Sequence, residues 1–458
     1  MKMRLTVPIA VATIVMMVFV LFLSGKGAVE ASSMVNEKRY SLEELQEDFS
    51  RVRTAVENKH PMFFANEEEI YERFDRQYAL LQEGMSELDF YRVLAPALAA
   101  LDCGHSNVLL SESYESYLQQ EGSLLPLKVT VLEQKLYVVE SKGTVRIPAG
   151  SQIVSINDRS SREMLETIYS SVSSDGGIKT RIDRAIQHQF PFLYHTLIDR
   201  GGAFEVVYRL PDRTGDPGEI RSTALQGLSF SELRGEKDAI ASIDVLIDME
   251  EIRSDYGAEI YDDYALLTVG SFILKHRDFA LFLEEFFLEL QEKRIDTLVL
   301  DLRGNWGGTP KPAALLLAHL TSRPVRYLSG DAPFYMFNYK RAREPEEHAF
   351  TGTVYALVDG SCFSTSAHFV SLLKQHDIAT LIGEETGGSA ACSDAKRRIV
   401  LPNTGLRVYY STRVFTTAVE GFARGKGIAP DYAVGPTTED IAQGRDSVAE
   451  FAAKLATE

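Results

Sequence analysis

Cysteine is scarce. The 458 residues contain three, Cys103, Cys362 and Cys392, and an odd, low count excludes a framework of several disulfides. An oxidising compartment would still permit one bridge. The chain has no paired C-x-x-C and no H-E-x-x-H, so no metal site is expected and nothing calls for a cofactor. Positive charge is in deficit: 48 Lys and Arg face 65 Asp and Glu, a formal net charge of -17. Such a chain is repelled by phosphate backbones, which excludes nucleic acid as a partner. Internal repeats and low-complexity tracts are also missing, and only one long apolar run occurs, from Leu5 to Leu23.

That run follows Lys2 and Arg4 and contains no charge, the plan of a secretory signal with a basic start and an apolar centre. Small residues at Val29-Glu30-Ala31 predict cleavage after Ala31. The run also approaches the ~20 residues that span a bilayer, so an uncleaved anchor through residues 5–23 is the other reading. Both place the remainder of the chain outside the cytoplasm, secreted or held at the outer face of the membrane, because the basic end stays inside.

The whole sequence is 45% hydrophobic and 25% charged, an ordinary globular composition with enough material for a core. A polar tether at 32–40 leads into helices. Ser41 with Glu44, and Asn66 with Glu69, predict capping boxes, and Ser86 caps a third helix running to Leu101. From about Leu124 the pattern turns to short alternating runs, 127–131, 135–139, 152–157 and 204–209, which predict strands. The stretch between 158 and 203 carries little pattern and is taken as an insertion, and Gly215 to Gly218 as a hairpin tip. The last part alternates: strand 264–269, helix 278–293, strand 297–302, helix 311–320, strand 354–358, helix 365–375, strand 379–382. Alternation of this kind predicts a layered α/β core.

Three places carry residues suited to chemistry. Asp301-Leu302-Arg303-Gly304-Asn305-Trp306-Gly307-Gly308 takes an apolar strand into a glycine-rich turn. Its amides suit an oxyanion hole, or it is a plain tight turn. Asp359 to Ser366 joins a strand to a helix. A serine at such a junction is exposed over the helix N-terminus as in a nucleophile elbow, or its hydroxyl merely caps the helix. His105, one of nine histidines, follows Gly104 in a loop and would serve as the base that a serine requires, or is an ordinary buried polar residue. Ser371-Leu372-Leu373-Lys374 has S-x-x-K spacing but lies inside a predicted helix without the companion motifs of penicillin-binding enzymes.

Taken in order, several of these motifs resemble the C-terminal-processing (tail-specific) serine proteases. They are Asp301 to Gly308, Phe363-Ser364, Gly383-Glu384-Glu385-Thr386-Gly387-Gly388 and Gly425-Lys426-Gly427-Ile428-Ala429-Pro430-Asp431. Leu101 to Ser106 is similar to the Asp-x-His-Ser/Thr motif of the histidine-using branch, which includes the tricorn core protease. The similarity covers roughly residues 40–435. It implies a crotonase/Clp-protease-like α/β core at 231–458, a helical module at 32–120 carrying His105, a divergent PDZ-like β domain at 121–230, and a signal or anchor at 1–31. The implied function is cleavage of peptides or unstructured protein tails through an acyl-enzyme. Ser364 would be the nucleophile, His105 the base, Glu420 the orienting acid, and the amides of Gly307, Gly308 and Thr365 the oxyanion hole. The lysine of the family's Ser-Lys branch is replaced by Ser389. That favours the histidine branch and leaves two rivals: a non-catalytic binder of peptides or apolar ligands on the same fold, and a displaced lysine such as Lys396 or Lys426. If His105 and Ser364 meet, Cys103 and Cys362, each two residues upstream, are the cysteines to consider as a bridge.

Overall fold

Leu298, Val299 and Leu300 are all buried, as a strand covered on both faces requires. They form the strand Thr297–Asp301, the third in a sheet whose order is Tyr256–Ile260, Ala265–Val269, Thr297–Asp301, Thr353–Val358, Thr380–Gly383 and Tyr432–Ala433. The first two pair antiparallel and every later pair is parallel, with Leu298 opposite Val354 and Leu300 opposite Ala356. On one face, the helices His276–Lys293, Pro310–His319 and Thr365–Gln375 contribute Phe279, Phe287, Leu316 and Phe369 to a single apolar cluster. The C-terminal helix Ser447–Thr457 covers Val299, Leu357 and Ile382 on the other. This is the layered α/β core, in the computed structural model that describes residues 38–211, 218–234 and 256–458. The apolar run at 5–23, the cleavage point after Ala31 and most of the expected hairpin tip lie outside the described residues. Among the described residues no helix is long and apolar enough to cross a membrane.

A second, antiparallel sheet runs through Leu127–Leu132, Lys135–Ser141, Gln152–Ile156, Ala203–Arg209 and Ile220–Gln226. The unpatterned stretch before Ala203 holds two helices, Ser161–Ser171 and Lys179–Leu193. The second is interrupted by non-helical Gln189 and contains Pro191, and its buried face includes Arg181 and Gln189, so apolar periodicity is broken where a reader would look for it. The N-terminal helices Leu42–Lys59, Glu67–Tyr78 and Glu87–Ala99 bury Phe49, Phe74 and Phe90 in one cluster with Val129, Ile153, Ile182 and Phe190. Ser41 and Ser86 close capping boxes with Glu44 and Asp89. Asn66 caps its helix through the amide of Glu68, and no box with Glu69 forms.

The two halves are tied by a small sheet. Asn107–Leu109 pairs antiparallel with Arg407–Tyr410, which pairs in turn with Arg397–Val400. Asp48, fully buried on the first helix, reaches the turn between the last two of these strands: its carboxylate accepts from the Thr404 amide at 2.9 Å, the Thr404 hydroxyl at 2.7 Å and the Asn403 amide at 3.2 Å. Removing it strands these donors. Asp48→Ala is expected to cost about 1–3 kcal/mol, read as a lower midpoint in urea unfolding, and an unchanged midpoint would refute this account of the tie.

Candidate active site

The sheet itself brings two of the loops together. Thr297–Asp301 and Thr353–Val358 are adjacent parallel strands, so the loops leaving their carboxyl ends, 302–309 and 359–364, emerge side by side. Ligands in open α/β sheets bind at that edge. Asp359 joins the loops, its Oδ1 accepting from the Ser361 amide at 2.9 Å and the Gly304 amide at 3.3 Å. The motif at 383–388 braces them from behind. The Gly388 amide donates to the Cys362 carbonyl at 3.0 Å, and the Thr386 hydroxyl accepts from the Ile428 amide at 2.7 Å, which also draws in the 425–431 motif.

Ser364 stands at the N-terminus of the helix Thr365–Gln375 with φ 54° and ψ -126°, and its side chain caps nothing. A left-handed φ on a residue with a Cβ is strained, and such strain persists where the surroundings enforce it, often at functional sites. The helix-cap alternative therefore fails at this serine. Its Oγ instead lies 3.1 Å from His105 Nε2. The two residues are brought together from 259 positions apart because Asn107–Leu109, directly after the histidine, is stitched to Arg407–Tyr410. Ser106 adds to the stitch by accepting the Ser411 amide at 3.1 Å.

His105 is buried, and its ring packs against Phe363 with centroids 4.6 Å apart. Burial pushes its pKa from the ordinary 6.5 down to about 4, with Asp394 pulling up and Lys396 and Arg181 pushing down. The imidazole is thus neutral at physiological pH, the state a general base needs. Ser364's hydroxyl also contacts the thiol of Cys392. Burial pushes that thiol's pKa far up, so Cys392 stays protonated and is no rival nucleophile.

The glycine turn meets the serine closely. A Cβ on Gly307, whose φ is 103°, would lie 2.7 Å from the Phe363 carbonyl, 2.9 Å from Ser364 Cβ and 3.0 Å from the Thr365 amide, so only glycine allows this approach. The oxyanion donors differ from expectation in one member. The Gly307 amide is already engaged, donating to Asn305 Oδ1 at 2.9 Å, while the same side chain donates from Nδ2 to the Val269 carbonyl at 2.9 Å. Gly308 and Thr365 keep amides with no protein acceptor among the described residues.

Glu420 is not brought to the histidine. It is exposed, its amide donates to Gln375 Oε1 at 2.9 Å, and His105 Nδ1 has no hydrogen-bond partner among the described residues. The carboxylate whose field reaches the ring is Asp394, on the strand Ala391–Asp394. Sequence reasoning missed this residue because no motif marks it. It also missed His368, one helical turn after Ser364, buried and with Nε2 unpartnered; its i+4 spacing from the serine was a usable signal.

Among the described residues no lysine is hydrogen-bonded to Ser364: Lys426 is exposed, and Lys396 acts on His105 through its charge. Ser389 donates to the Ala391 carbonyl at 2.6 Å. Ser371, inside its helix, donates to the His368 carbonyl at 2.7 Å, and Lys374 to Asp431 at 3.0 Å, so the S-x-x-K pair is structural. All three cysteines are free and buried, with Cys362 facing the Leu302 carbonyl at 3.3 Å and Cys103 the Ser411 hydroxyl at 3.2 Å. The bridge considered between Cys103 and Cys362 is not formed. Among the described residues no cluster of metal-ligating side chains occurs.

Comparison with solved structures gives the same architecture. The fold superimposes on mature CPAF with a TM-score of 0.65 at 14% identity, covering 91% of this chain and 97% of that one. The photosystem II D1 C-terminal processing protease matches with a TM-score of 0.43 at 17% identity over 88% of this chain and 98% of that one. The tricorn protease matches with a TM-score of 0.41 at 14% identity over 91% of this chain and 37% of that one. No curated protein sequence matches the chain. Residues 263–434, which hold both loops, the serine and the bracing motifs, match the model of peptidase family S41.

Proposed function

We propose that this protein is a serine peptidase that cleaves peptides or unstructured protein tails through an acyl-enzyme. The 3.1 Å contact between His105 Nε2 and the Oγ of a backbone-strained Ser364 carries the reading. Ser364 Oγ attacks the scissile carbonyl carbon as His105 Nε2 takes the hydroxyl proton. The negative charge developing on the carbonyl oxygen is met by the amides of Gly308 and Thr365, the latter at a helix N-terminus whose dipole favours it. Collapse expels the amine, which receives the proton from His105 and leaves an ester on Ser364. Water then repeats the sequence and frees the acid and the serine. Protonation of the ring during attack is helped by the Asp394 carboxylate, whose field favours the cation.

The second sheet supports a role in holding substrate. Its outer strand Ile220–Gln226 is largely exposed, and an extended peptide can add to such an edge as it does in PDZ domains. A PDZ-like role for this sheet, action on C-terminal tails, and a site outside the cytoplasm, secreted or anchored through residues 5–23, all belong to the proposal. The last rests on the basic, then apolar, N-terminus.

A fluorophosphonate probe is expected to label the wild type and not Ser364→Ala. His105→Ala is expected to lower peptide hydrolysis by about 10²–10⁴-fold, while Glu420→Gln leaves it near wild type. Absence of labelling would favour a non-catalytic binder, and full activity in His105→Ala would favour a lysine base. The pH profile supplies a separate check. Only neutral His105 can act, and its depressed pKa places the acid limb of kcat/KM near 4, so activity should persist at pH 5–6. A limb at the 6.5 of an unperturbed imidazole would contradict the burial described for the ring.

A further inference from the structure

Gly104, the residue before His105, is gripped on both sides of its backbone by two side chains, one of which, Arg181, also lies over the Trp306 ring of the glycine turn at 5.9 Å. Its amide donates to Asp175 Oδ1 at 2.8 Å, and its carbonyl accepts from Arg181 Nη2 at 3.0 Å. The same arginine donates through Nη1 to the Ser173 carbonyl, and the Gly176 amide donates to the Asp102 carbonyl at 2.9 Å. Residues 173–181 thus close on residues 102–104 from one direction. From the other comes Phe363, adjacent to the nucleophile. A Cβ on Gly104 would lie 2.7 Å from its ring and 3.0 Å from Arg181 Nε, and the guanidinium carbon sits 4.5 Å from the Phe363 ring centroid. Arginine, phenylalanine and histidine therefore form one packed set around Gly104.

Burial makes this arrangement costly. Asp175 is 0% exposed and Arg181 4%, yet Asp175 Oδ2 and Arg181 Nε have no hydrogen-bond partner among the described residues. Burying such polar side chains costs free energy that apolar residues of the same volume would not. Stability alone therefore gives little reason for the pair, whereas a catalytic base must be held within about 0.5 Å of its working position.

We propose that Asp175 and Arg181 are positioning residues, which fix the backbone at Gly104 and thereby hold His105 Nε2 at hydrogen-bonding distance from Ser364. The proposal rests on the reading of His105 as base and Ser364 as nucleophile. The pair fixes the φ and ψ from which the imidazole projects, and Phe363 limits the ring's remaining rotation. Neither member touches substrate.

The test uses the full-length protein and a fluorogenic peptide, with the fluorophosphonate endpoint counting competent sites so that misfolded molecules drop out. Asp175→Ala should lower kcat per labelled site by about 100-fold, the scale of a 1 Å misplacement, with KM near wild type and the second-order labelling rate falling in step with kcat. Asp175→Asn keeps an oxygen for the Gly104 amide and should recover most of the loss. If Asp175→Ala does not fold, Arg181→Lys takes its place: one ammonium cannot serve both the Gly104 and Ser173 carbonyls in the guanidinium geometry, so kcat per labelled site should fall while KM holds. Loss confined to the number of labelled sites, or appearing in KM alone, would overturn the proposal and leave the pair a purely structural one. A wild type that takes no label at Ser364, or keeps its rate as His105→Ala, would instead overturn the underlying reading of the site.

Discussion

The pairing of Asn107–Leu109 with Arg407–Tyr410 is the constraint on which the site depends. Ser364 and the glycine turn lie on loops that leave the carboxyl ends of the parallel sheet. The histidine does not. It arrives on a segment whose own core is shared with the second sheet. Strand pairing fixes register to the residue, because a slip by one would turn every side chain to the other face. Arg407 reinforces the register by donating from Nε to the Leu110 carbonyl at 2.9 Å and by a buried ion pair with Glu115. Ser106, Ser411 and Cys103 pack behind it. The precision of a contact between two distant residues thus comes from ordinary backbone hydrogen bonding a few residues away.

Around that contact the chain tolerates local cost. Ser364 holds a left-handed backbone, His105 is an imidazole buried with one nitrogen unpartnered, and His368 is another. Burial pushes both rings to a pKa of about 4, and the thiol beside the serine far up. The common effect is a set of neutral groups around a hydroxyl. In the proposed reaction charge appears only as bonds change, where the Gly308 and Thr365 amides and the Asp394 field would act at short range in a low-dielectric setting.

Much of the α/β core was legible because its signals are local. An apolar run such as Leu298 to Leu300 can only be a covered strand, and the helix Thr365–Gln375 has the bounds its pattern predicts. That His105 and Ser364 would meet was legible through ordered motifs, and the two side chains lie 3.1 Å apart. What stayed hidden depends on non-local geometry. Whether Gly307 can donate outward depends on where the Asn305 side chain turns. Glu420 was chosen by its place before a motif, and the fold leaves it in solvent. Asp175 and Arg181 fall in a stretch whose helical pattern is broken by Gly176, Gly177, Gln189 and Pro191. Buried charges there read as surface until the partner loop is in view.

The three-stranded sheet has one more consequence. Because interstrand hydrogen bonds, rather than continuous main chain, keep the imidazole beside the hydroxyl, the polypeptide linking them is dispensable as a tether. A single nick at an exposed bond between residues 110 and 397 would leave two fragments that remain associated through that seam and the interface behind it. Such a molecule would run as two bands under denaturing conditions and as one particle in its native state.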